Sequence, residues 1–219
     1  MAKNFGVTDY DQYWTDRIAE RGITDTFGSR HHAIISLVSR YLPPGKSILD
    51  FGMGQGKMID SFKERYKLYT VETSQVIIDR FKDRGMTIKK HDLNEGLCDF
   101  GVKFDLIIAS YVLHHLIDPA RLISQVPDHL NPGGYFLVCF PNIMSFNKRW
   151  KFMRGIFPNF SGRHQNFLTR GEQKNCCLKY FELVETLTPR HVAGTRYFAR
   201  FFPDLFAKEI IYLFQKGSN

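Results

Sequence analysis

Between residues 47 and 140 short apolar runs alternate with amphipathic stretches, and this alternation constrains the fold more than any other feature of the chain. The runs are "SILDF" (47–51), "LYTVE" (68–72), "MTIKK" (86–90), "FDLIIAS" (104–110) and "YFLVCF" (135–140). Helical patterns fall near 56–66, 74–84 and 119–130. Strand followed by helix, repeated, means parallel strands joined by crossover helices. Two helical patterns precede the series, at about 9–21 and 29–42, and "PPG" at 43–45 stops the second. After it, "TRGE" (169–172) has the Thr and Glu of a capping box, and "FELVETL" (181–187) and "EIIYLFQK" (209–216) read as edge strands.

"SILDFGMGQGKMID" ends its apolar run on Asp50 and places Gly52, Gly54 and Gly56 at alternate positions. At the carboxyl end of a parallel strand, this loop lies where open α/β sheets bind ligands. Lys57 stands where a dinucleotide fingerprint needs its third glycine, which weakens a nicotinamide reading. Glycine lets a backbone pass close to a bulky ligand, and it also serves tight turns. The residues alone also allow Asp50 to cap the next helix and Glu72 to be a solvated strand end.

The D-x-G-x-G-x-G pattern resembles motif I of the class I S-adenosylmethionine (SAM)-dependent methyltransferases. Glu72, "HDLNEG" (91–96), "FDLIIASYVLHHLIDP" (104–119) and "LNPGGYFLVCFPN" (130–142) are similar to the motifs that follow it in that family. The resemblance implies a Rossmann-like, seven-stranded, mostly parallel sheet with helices on both faces. It also implies N-terminal helices (1–44), a cofactor-binding core (45–141), a lid inserted after the fifth strand (142–170) and a C-terminal helix with edge strands (171–219), all one methyltransferase domain. The implied cofactor is SAM, held by Asp50, Gly52, Gly54, Gly56, Glu72, Thr73, Asp92, Leu93 and Ser110. In that scheme Glu72 meets the ribose hydroxyls, Asp92 the adenine amino group, and Leu93 the ring. "DLNEGL", "LHHLIDP" and "HQNFLT" (164–169) look most like MetW-like and small-molecule methyltransferases.

Methyl transfer from a sulfonium needs an acceptor in line with the S–CH3 bond, and a base only where the acceptor keeps its proton. His115, after the fourth strand, is the candidate for that base, with His114 expected to point elsewhere. The loop lacks the Asn/Asp-Pro-Pro-aromatic and Pro-Cys sequences of enzymes that methylate nucleic-acid bases, so nucleic acid is disfavoured as a substrate. Asp118 stands without the companion carboxylates that a metal-dependent reaction needs, so no metal site is assigned.

The stretch 142–170 holds Lys148, Arg149, Lys151, Arg154, Arg163 and Arg170 with no acid, interleaved with Phe146, Trp150, Phe152, Phe157, Phe160 and Phe167. Arg149, Trp150, Arg154 and His164 are the expected acceptor contacts in this lid. With a net charge of +8, such a surface suits a small anionic or amphiphilic acceptor, a lipid headgroup surface or single-stranded nucleic acid. The expected activity is methylation of an O or N atom. The alternatives are a SAM-binding partner of a biosynthetic enzyme, as the MetW likeness implies, and RNA modification. The first residues lack the basic and apolar segments of a secretion signal, and the four cysteines have neither zinc nor CxxC spacing, so a cytoplasmic chain with reduced thiols is expected.

Overall fold

The computed structural model describes residues 9–22, 27–156, 166, 168–189, 191 and 194–217. Seven strands form one sheet: β1 (Ser47–Phe51), β2 (Lys67–Glu72), β3 (Thr87–Lys90), β4 (Phe104–Ser110), β5 (Leu130–Pro141), β6 (Glu182–Leu187) and β7 (Glu209–Gln215). Their spatial order is β3-β2-β1-β4-β5-β7-β6. The first five run parallel, and β7 lies antiparallel between β5 and β6. The strand order reverses between β1 and β4, and a crevice opens beyond their carboxyl ends.

The alternation of side chains along each strand explains the layers. On β1, Leu49 and Phe51 enter one core while Ile48 enters the other. On β4, Ile107 and Ala109 divide in the same way from Leu106 and Ile108, while a register shift between Phe104 and Leu106 puts Phe104 with the first core. One face is covered by α5 (Pro119–His129) and α7 (Arg170–Leu178). The other is covered by α2 (Ser29–Tyr41), α3 (Lys57–Asp60) and α4 (Gln75–Phe81). Burial of each such Leu, Ile or Phe stabilises the fold by roughly 1.5 to 3 kcal/mol. Local signals set several ends: Asp118 accepts from the Arg121 amide at 3.0 Å with Pro119 at the first helical position, and Thr169 and Glu172 form the reciprocal capping box.

Two elements differ from the sequence pattern. Helix α3 closes after one turn instead of running to residue 66, because the chain must turn back into β2. The Tyr66 hydroxyl donates to the Leu42 carbonyl (2.9 Å) and the Lys67 amide to that of Lys46 (2.9 Å), so tertiary hydrogen bonds override the helical period. The stretch 188–208, which carried no helical expectation, holds α8 (Arg196–Phe201) and α9 (Pro203–Phe206). α1 (Tyr10–Arg21) and α6 (Phe146–Met153) complete the α-helices among the described residues, and a 3-10 turn spans Leu113–His115.

Candidate active site

The glycines answer the question their spacing poses, each differently. All are left-handed, with φ of 65°, 56° and 71° at Gly52, Gly54 and Gly56. A Cβ on Gly52 would stand 3.1 Å from Val112, and one on Gly56 would fall 2.2 Å from the Phe81 ring, so these two let elements of the chain itself close up. A Cβ on Gly54 would reach ordinary van der Waals contact with the Trp14 ring at 3.6 Å, beside a cavity that both residues line.

That cavity has a volume of about 600 Å3. Asp50, Gly52, Gly54, Gly56, Glu72, Thr73, Asp92, Leu93, Ser110 and His115 all line it, which brings together every residue expected to hold a cofactor and the candidate base. Glu72 is 4% exposed, not a solvated strand end. Its Oε1 accepts from the amides of Thr73 (2.9 Å) and Ser74 (3.1 Å) and from the Thr73 hydroxyl (3.3 Å), while Oε2 takes only the longer Gly54 amide contact (3.3 Å). Oε1 is therefore largely committed to holding the strand end, and Oε2 retains acceptor capacity towards the cavity. Burial raises the Glu72 pKa against the opposing pull of these donors.

Asp50 does not cap α3, whose N-cap is Gly56. It is buried, its Oδ1 has no hydrogen-bond partner, and burial followed by the nearby Glu72 charge holds its pKa well above the usual carboxylate range. Asp92 uses Oδ1 for the amide and side chain of Asn94 (2.9 and 3.0 Å).

The roof of the cavity was not legible as site residues in the sequence. Tyr10, Tyr13, Trp14 and Arg17 of α1 line it, at the three- and four-residue steps of one helix face, and that spacing was the available signal. Asp11 fastens α1 to the start of α4, accepting from the Ser74 hydroxyl (2.6 Å) and the Val76 amide (3.3 Å). Arg30 also lines the cavity, with its guanidinium 4.1 Å above the Tyr111 ring. The Nε atoms of Arg17 and Arg30 are buried without hydrogen-bond partners. Tyr111 has φ of +62°, strained for a non-glycine residue, and its hydroxyl donates to Glu209 at 2.9 Å.

His114 does not point elsewhere. It too lines the cavity, 4% exposed, with its ring 4.1 Å from that of His115. Asn166 of the "HQNFLT" stretch clamps this loop, its amide donating to the His114 carbonyl (3.2 Å) and its side chain to that of Leu116. Arg149 and Trp150 on α6 and Arg154 at its C-cap, expected at the acceptor, stand exposed and are absent from the described lining. Helix α6 has no buried residue, so its aromatics do not fold over the cavity. His164 lies outside the described residues. No group of three His, Cys, Asp or Glu suited to a metal ion occurs among the described residues.

The residues present fit SAM on structural grounds: a glycine cradle open to the cavity, an unpartnered buried carboxylate suited to a cationic group, and arginines suited to a carboxylate. A family model described as a methyltransferase domain matches residues 27–185. The chain belongs to that methyltransferase family. A bifunctional methionine biosynthesis protein MetXA/MetW of Rhodopirellula baltica is 28% identical over 112 residues, covering 46% of this chain and 18% of that protein. The chain spans less than a fifth of the length of the curated relatives it matches. Among solved structures, N-methyltransferase NodS of Bradyrhizobium japonicum in complex with S-adenosyl-L-homocysteine superposes with a TM-score of 0.63 at 15% identity, covering 95% of this chain and 99% of that one. A Haloferax volcanii protein in complex with the Trm112 methyltransferase activator gives 0.66 at 14% identity, with 97% and 100% covered. These likenesses show the fold. The domain's strand order and crevice are those of a Rossmann-like methyltransferase.

Proposed function

We propose that the chain transfers a methyl group from SAM to an oxygen or nitrogen of a small anionic or amphiphilic acceptor. The observation that carries this reading is the cavity itself, in which Glu72, the unpartnered Asp50 and the Gly54 backbone face the α1 roof. When bound, SAM supplies an electrophilic methyl group on a sulfonium, and the bond pair stays with sulfur as the acceptor's lone pair forms the new bond. Glu72 Oε2 would accept from a diol, and Asp50, ionised by a nearby cation, would balance an ammonium. Arg30 would meet a carboxylate while stacked on Tyr111. The aromatic face of α1 excludes water and holds the acceptor in line. Arg17, which lines the same space, favours an acceptor with negative charge. An acceptor that reacts with its proton on would pass it to His115, and one that reacts as an anion needs no base.

A second reading, a SAM-binding regulatory partner of a biosynthetic enzyme, is favoured by the likeness to the MetXA/MetW protein. The discriminating experiment incubates the purified chain with methyl-labelled SAM and fractionated acceptor pools. Label in a small molecule supports catalysis. Cofactor binding without any labelled product, in pools that label with control methyltransferases, supports the partner reading. Absence of any SAM or S-adenosyl-L-homocysteine binding at millimolar ligand removes both.

A further inference from the structure

Along the sequence, the chain's excess positive charge and many of its exposed aromatic residues fall in the same stretches. Residues 142–171 and 188–203 together carry nine of its 30 Lys and Arg residues and none of its 22 acids. The remainder of the chain is therefore balanced to within one charge. The same stretches supply Phe146, Trp150, Met153 and Ile156 on or just after α6, exposed by 46 to 70%, and Tyr197 (85%), Phe201 (74%) and Phe202 (57%) on and beside α8. Such a concentration of large apolar groups is not what a solvated surface needs.

The fold roots the start of α6 and α9 at one end of the sheet. Pro141 pairs with Glu209 across β5 and β7, and the Asn142 side chain donates to the carbonyls of Pro203 (3.2 Å), Asp204 (3.1 Å) and Ala207 (2.8 Å). Asn142 thereby ties the base of α6 to α9, which follows α8 directly. Arg149, Lys151 and Arg154 are exposed beside the α6 aromatics, and Phe146 and Trp150 stack on each other in the open, 6.4 Å apart at 12°.

We propose that this end of the molecule docks on an anionic lipid bilayer, with the aromatic and aliphatic side chains in the headgroup boundary and the basic side chains on lipid phosphates. Charge complementarity selects this occupant. A second copy would bring the same positive surface against itself. A single nucleic-acid strand would use the rings and the cations, but it gains nothing by stacking from Met153 or Ile156, which a bilayer buries. The inference stands independently of the acceptor and of catalysis.

The test uses the full chain with vesicles of phosphatidylcholine alone and of phosphatidylcholine with one quarter phosphatidylglycerol, read by co-sedimentation. Binding should require the anionic lipid and weaken as salt rises. Lys151→Gln with Arg154→Gln should lower partitioning by about thirtyfold, taking about fivefold per cation near the surface. Tyr197→Ser with Phe201→Ser should weaken binding while leaving circular dichroism and the melting temperature unchanged, since both side chains are exposed. The chain has two tryptophans, of which Trp14 lines the cavity, so brominated lipid should quench the wild type and not Trp150→Phe. Lack of binding to anionic vesicles, equal binding by the variants, binding only to a single-stranded oligonucleotide, or self-association that these variants abolish without any vesicle binding would each overturn the proposal.

Discussion

The hydroxyl of Ser74 donates a 2.6 Å hydrogen bond to the carboxylate of Asp11, joining the first helix to the loop that Glu72 organises. This contact, which also lowers the Asp11 pKa, spans 63 residues of sequence and fixes the aromatic face of α1 over the cavity. Asp11→Ala should raise the dissociation constant for S-adenosyl-L-homocysteine by about five- to tenfold, a partly solvated charge-assisted hydrogen bond being worth less than a buried one. Titration calorimetry checks this. An unchanged constant would show that the roof is held without Asp11.

Glu72 offers a second measurement of the same site. Glu72→Ala should weaken cofactor binding by roughly 1.5 to 3 kcal/mol, the scale of hydrogen bonds to a charged group. Its melting temperature should fall as well, because the amides of Gly54, Thr73 and Ser74 lose their acceptor. Glu72→Gln, which keeps one acceptor oxygen, should recover stability more than affinity. Equal recovery of both would assign Glu72 to the loop alone.

Gly54 and Gly56 should separate binding from folding. Gly56→Ala places a methyl 2.2 Å from Phe81 at a left-handed φ, so overpacking of about 1 to 3 kcal/mol adds to backbone strain of about 1 to 2 kcal/mol. Gly54→Ala has space and should lose only the strain in denaturant unfolding, while the methyl intrudes on the cavity and weakens cofactor binding. Equal losses of stability in the two variants would contradict the packing.

The Asp50 carboxyl gives a pH signature. Its pKa is raised in the fold, so its stabilising contribution is complete below the ordinary aspartate value of about 3.9 and is lost as pH rises through the folded value. His31, lowered to about 4 by burial and then by Arg30, contributes above its ordinary value of 6.5 and loses that contribution as pH falls towards the folded one. Asp50→Asn isolates the first effect. In urea unfolding of the ligand-free protein, its stability relative to wild type should rise as pH increases above the ordinary aspartate value of about 3.9. A constant difference would mean that Asp50 ionises in the fold without penalty.

The sequence by itself determined the sheet and the floor of the site. The apolar runs at 47–51 and 104–110 became β1 and β4 residue for residue, because alternating side chains that must enter two cores leave a strand no other register. Asp50, Glu72, Asp92 and Ser110 were legible because each lies at or beside the end of a strand that hydrophobic pattern locates.

What only the tertiary structure decided lies above that floor. Long-range contacts chose the roof: Asp11 on Ser74, Trp14 over Gly54, and Arg30 on Tyr111 each join segments separated by dozens of residues. No local period encodes such a pairing. The basic, aromatic stretch after β5 read as a lid, but amphipathic spacing states that a helix has an apolar face and not what covers it. In the fold α6 buries none of its residues, and the cavity is covered instead by α1, fastened by a hydrogen bond that only the assembled sheet brings within reach.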